Sequence, residues 1–140
     1  MRVSLLGRSG ARMRRRLLPL FLEHVSAGFP SPAQDYIEKA LDLNELCIRH
    51  PAATYYVRVQ GDSMIEAGIY SGDILIVDRS LTAKHGDIVI AALHGEFTVK
   101  ELQLHPTPCL LPRNKRYKPI DAPEIEVFGV VSGVVRILNR

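Results

Sequence analysis

Residues 61–80 read GDSMIEAGIYSGDILIVDRS. A serine follows Gly61 and Asp62 among turn formers, and the chain then enters the apolar stretch Ile74, Leu75, Ile76, Val77 before turning again at Asp78. A short apolar run bounded by Gly, Asp and Ser is a strand signal. The same pattern recurs on both sides: TYYVRVQ at 54–60, GDIVIAAL at 86–93, EFTVKELQL at 96–104 and EIEVFGVVSGVVRIL at 124–138. All are rich in Val, Ile, Tyr, Phe and Thr, which suit a pleated, half-buried surface. His94-Gly95 between two of these runs predicts a hairpin with Gly95 at positive φ. The expected fold is mainly β, a single domain of short antiparallel strands forming a sandwich or a partly rolled barrel.

The 140 residues suffice for one domain with a sizeable core. A net charge of +3 conceals an asymmetry, because residues 1–22 hold Arg2, Arg8, Arg12, Arg14, Arg15 and Arg16 and no acid. The other 118 residues carry 12 basic and 15 acidic side chains, so the body is mildly acidic. The basic character belongs to an arm, which is read as solvated rather than as a nucleic-acid-binding element. Residues 1–26 show no sustained helical or strand period and are expected to be mobile, with Met13 a second possible start. Their six-residue apolar core LLPLFL contains Pro19 and is followed by Glu23 and His24, a poor secretory signal. Elsewhere the longest apolar run, IVIAAL, is far short of the roughly 20 residues a spanning helix needs. The expectation is a soluble, cytoplasmic protein. FPSPAQ at 29–34 marks a linker, and YIEKALDLNEL at 36–46 is expected to form a short helix or helical turn. Cys47 and Cys109 have no CxxC or Cys/His spacing, so two reduced thiols are expected, with no zinc or disulfide framework.

A serine hydroxyl is a poor nucleophile until a base takes its proton, so a functional Ser63 needs a partner. Histidine is the usual one, but the five histidines fall in the arm, before a proline, and in turns or strand ends. His85 with Asp87 is a paper possibility of little specificity. Lys100 is the better placed residue: strand alternation in EFTVKELQL puts Thr98, Lys100, Leu102 and Leu104 on one face. Burial there would disfavour the ammonium form and lower the lysine pKa, and Thr98 could orient the amine. The competing reading is a strand lysine that reaches solvent, and periodicity alone leaves both open.

The stretches AGFPSPAQDY, LDLNEL, HPAATYYV, GDSMIEAGI, GDILIVD, HGDIVIAALHGEFTVKELQL and VFGVV occur here in one order, and with them the chain resembles the LexA/UmuD family of self-cleaving serine peptidases, on its UmuD side. The GDSM box with the FTVK lysine 37 residues further on carries the resemblance. The resemblance implies Ser63 as nucleophile and Lys100 as its unprotonated base. It also implies an oxyanion hole from the backbone N–H groups of Ser63 and Asp62. It further implies cleavage of the chain's own arm at Ala27-Gly28, which divides residues 1–27 from a peptidase and dimerisation domain of residues 28–140. Ala27 suits a narrow pocket, and Gly28 lets the backbone approach without a Cβ.

By the same resemblance the protein acts in the DNA-damage (SOS) response. A RecA filament on single-stranded DNA promotes cleavage, and the shortened homodimer joins a UmuC-like Y-family polymerase in translesion synthesis. No metal or cofactor is implied. A 26-residue arm has no room for a helix-turn-helix domain, so a repressor reading is poor. The rival is a non-cleaving polymerase-accessory module of the same fold.

Overall fold

The computed structural model describes residues 2–8, 17–21, 37–121 and 125–139. The strands are β1 Arg2–Arg8, β2 Leu17–Phe21, β3 Ile37–Asp42, β4 Thr54–Gln60, β5 Ile74–Asp78, β6 Ile88–Leu93, β7 Glu96–Gln103, β8 Cys109–Leu111, β9 Ile120–Asp121 and β10 Glu126–Val135, with one short helix, α1, at Leu43–Cys47. Eight strands form one antiparallel sheet in the order β1-β4-β5-β10-β6-β7-β8-β9, and β1 also meets β7 through Arg2 and Thr98. That last pairing closes β1, β4, β5, β10, β6 and β7 into a ring, the rolled barrel that the strand pattern suggested. β2 and β3 form a separate two-stranded ribbon.

Val57, Val59, Met64, Leu75, Val77, Ile90 and Val99 belong to one buried cluster, and Val89, Ala91, Leu102, Leu110 and Val130 to a second. Neighbouring residues of β6 thus serve different clusters, so this strand is buried on both faces. A strand so placed reads as the unbroken run IVIAAL rather than as an alternation. β10 is bent by two register irregularities, at Val127/Gly129 and Val131/Gly133, which let it pair with both β6 and β5. Gly129 permits this closeness, since a Cβ there would lie 2.6 Å from Val77 Cγ1. The β6–β7 turn has positive φ at both His94 (51°) and Gly95 (77°), as a two-residue hairpin of matching twist requires.

Within residues 1–26, expected as an arm, Arg2–Arg8 and Leu17–Phe21 are strands, the second in the LLPLFL stretch. One expectation changes. In the expected helix at 36–46, the first part is strand β3, and helix begins only at Leu43. Asp42 is its N-cap and accepts the Asn44 N–H at 2.9 Å. No helix among the described residues is long and apolar enough to cross a membrane.

Candidate active site

β4 ends at Gln60, and Gly61, at φ 104°, turns the chain so that Ser63 falls at the seam between β4 and β7. A single helical turn at Ile65–Ala67 follows, stopped by Gly68 in the left-handed region. β7 delivers Lys100 to the same place. Its Nζ lies 3.1 Å from Ser63 Oγ, 2.7 Å from Thr98 Oγ1 and 3.1 Å from the Val99 carbonyl oxygen. Ser63 and Lys100 are 1% and 5% exposed.

Burial pushes the Lys100 amine below the ordinary lysine value. Among the described residues no carboxylate pairs with it. The amine donates to all three oxygens; loss of one proton would leave two N–H donors for Thr98 and Val99 and a lone pair to accept from the Ser63 hydroxyl. The Thr98 contact is the one that alternation along β7 suggested. Leu104 lies beyond the end of β7 and is 37% exposed, so the expected burying leucine pair reduces to Leu102, which is 3% exposed.

The loop after β8 braces the serine. Asn114, itself buried, donates from Nδ2 to the Asp62 carbonyl at 2.8 Å, and its Oδ1 accepts the Arg116 N–H at 3.0 Å. Tyr117 donates its hydroxyl to the Asp62 carboxylate. Further bonds run from Glu66 N–H to the Arg113 carbonyl at 2.8 Å and from Lys115 N–H to Glu66 Oε2 at 2.9 Å. A trans peptide sends its C=O and N–H in opposite directions. Holding the Asp62 carbonyl therefore turns the Ser63 N–H away from this loop. Neither the Asp62 nor the Ser63 N–H is engaged by an acceptor among the described residues. Reading the sequence missed Asn114 and Tyr117, because PRNKRY carries only loop signals and its partners lie 52 and 55 residues away.

The histidine alternative has other occupations. His85 Nδ1 accepts the Leu104 N–H, Asp87 accepts the Lys84 N–H, and the His85 ring packs against His105. Cys47 and Cys109 are free thiols, as expected. No cluster of His, Cys, Asp or Glu suited to a metal occurs among the described residues. Ala27 and Gly28 lie outside the described residues.

A serine set against a buried lysine has the makings of a nucleophile and its base. The chain belongs to the Peptidase S24-like family, whose model matches residues 19–132, and to its LexA/UmuD members. It is 51% identical over 137 residues to protein MucA of Salmonella typhimurium, covering 94% of this chain and 92% of that protein. It is 55% identical over 117 residues to protein SamA of the same species, covering 84% of each. A LexA repressor from Alcanivorax borkumensis is 37% identical over 118 residues, which make up 82% of this chain but 57% of the repressor.

Proposed function

We propose that this protein is a serine endopeptidase that cuts its own arm at Ala27-Gly28 with a Ser63/Lys100 dyad. The observation that carries the reading is a buried lysine amine 3.1 Å from a serine hydroxyl, with no carboxylate paired to it among the described residues. Neutral Lys100 takes the Ser63 proton as Oγ attacks the Ala27 carbonyl carbon. Charge developing on that carbonyl oxygen is met by the Ser63 and Asp62 N–H groups, the first of them oriented by the hold of Asn114 on the Asp62 carbonyl. The Lys100 ammonium returns the proton to the Gly28 nitrogen as the peptide bond breaks, leaving residue 27 as an ester on Ser63. Water, deprotonated by Lys100, then hydrolyses the ester. The products are the arm ending at Ala27 and a body starting at Gly28.

The likeness to MucA, SamA and ImpA, at 50–55% identity, supports placing this activity in DNA-damage-induced mutagenesis. On this reading a RecA filament on single-stranded DNA speeds the cut, and the processed homodimer serves a UmuC-like translesion polymerase in the cytoplasm. A non-cleaving accessory module would have no use for a buried lysine set against the serine. Intact mass and amino-terminal sequencing after alkaline incubation test the reading. The expected new terminus is Gly28. A different terminus removes the site assignment, and full-length protein at every pH removes the peptidase.

A further inference from the structure

The strand that closes the barrel belongs to the arm. β1 pairs with β4 from Arg2 opposite Gln60 to Arg8 opposite Tyr55, with one irregularity between Leu5 and Gly7. Its first residue reaches across to β7 at Thr98, the residue whose hydroxyl contacts the Lys100 amine. β1 therefore spans the gap between the strand that leads to Ser63 and the strand that carries Lys100. Val3 is 7% exposed and sits in the same buried cluster as Val57, Val59 and Met64. Arg2 adds an ion pair to Glu96 at 3.6 Å, which is too exposed to matter much. Without β1, the seven-residue β4 would present an unpaired, apolar sheet edge, a template for another strand.

We propose that the β4/β7 seam is a strand-binding site whose occupant is this chain's own residues 2–8, and that the strand stays there as a non-covalent ligand once the chain is cut downstream of it. The backbone pairing and the Val3 contact do not depend on the connection at Ala27-Gly28. Cutting and release of the arm are then separate steps, and the seam opens to another extended segment only after β1 leaves. The biological meaning rests on the cleavage reading above, but the strand's retention does not.

The two are separated by using full-length Ser63→Ala protein with a foreign protease site replacing residues 10–16, so that only β1 can hold the released piece. After cutting at low-micromolar protein, native mass spectrometry and size exclusion should find the β1 fragment with the body at one to one. Amide exchange across residues 54–60 should stay as slow as in the uncut chain. Val3→Asp places a charge in the apolar cluster and should lower the retained fraction roughly tenfold or more, whereas Leu5→Asp, at a half-exposed position, should not. A fragment that elutes alone with fast exchange in β4 overturns the proposal. So does retention that Val3→Asp leaves unchanged. Retention that vanishes when dimers are diluted to monomers assigns the seam to a second copy's strand and overturns the intramolecular form.

Discussion

Lys100 and the carboxylate Asp73 are buried to nearly the same degree, 5% and 2% exposed, yet the fold treats their charges in opposite ways. Asp73 receives a two-pronged contact from Arg136, with Nε to Oδ1 at 2.7 Å and an Nη to Oδ2 at 2.6 Å, and Arg136 stacks on Tyr70. The Arg136 hydrogen bond outweighs desolvation and holds the Asp73 carboxyl below its usual value. Asp78 follows the same rule. Desolvation raises it, but hydrogen bonds from His50 at 2.6 Å and from Ser80 bring it down. Among the described residues Lys100 is given a threonine, a carbonyl and a serine, none of them charged. Burying an ion costs several kcal/mol unless it is paired, and the cheaper outcome is loss of the proton. The carboxylates are held as ions for structure, while the amine is held where burial lowers its pKa.

The largest effect that could break this contrast is on cleavage. Ser63→Ala and Lys100→Ala should each slow self-cleavage roughly 10⁴-fold or more, with unchanged circular dichroism. Lys100→Arg should be as inactive, since a guanidinium keeps its proton. If His85→Ala abolishes cleavage and Lys100→Ala does not, the contrast has no functional meaning. Next in size, Asn114→Ala should slow cleavage by roughly 10²-fold by freeing the Asp62-Ser63 peptide. Alkylation of a Ser63→Cys variant, which needs no oxyanion stabilisation, should proceed at the same rate with or without Asn114. Equal losses in both assays would reduce Asn114 to a packing role.

Stability gives the smaller effects. Lys100→Met should stabilise the fold at neutral pH by on the order of 1 kcal/mol, measured by urea unfolding. The linkage has a definite sign. Because the folded pKa is lowered, the unfolded state holds more protons from that value up to about 10.4, so wild-type stability rises with pH there. The Lys100→Met advantage should shrink over the same window. For Asp73 and Asp78 the contribution is complete at neutral pH and is lost as pH falls from about 4 through their lowered folded values. Arg136→Gln should lower the urea midpoint at pH 7 and flatten that acid-side loss. A destabilising Lys100→Met would mean that the buried amine is paired after all.

Much of this was legible before any coordinates, and the rest resisted for physical reasons. β4, β5 and β6 announce themselves because each carries at least two buried β-branched residues, and β7 because Phe97, Thr98 and Val99 follow the His94-Gly95 turn. β1 does not, since Val3 alone among its residues is fully buried and the strand forms by pairing along β4. β3 is drawn into a ribbon by β2, which overrides a weak helical pattern. Ser63, Lys100 and Thr98 could be nominated because two of them lie two residues apart on one strand and the third stands in a marked turn. Asn114 could not, because its role depends on a long-range contact that leaves no local period.

The central claim is that Lys100 is the base, and the first-order loss of full-length protein from pH 6 to 10.5, without any filament, tests it most directly. A histidine of ordinary pKa near 6.5 would bring the rate to a plateau by about pH 8. Lys100 is lowered by burial, but its ammonium keeps three oxygen acceptors that oppose the lowering, which predicts a rate still climbing above pH 8, following one ionisation whose midpoint lies below the free-lysine value of about 10.4. A profile already flat above pH 8 would contradict the account.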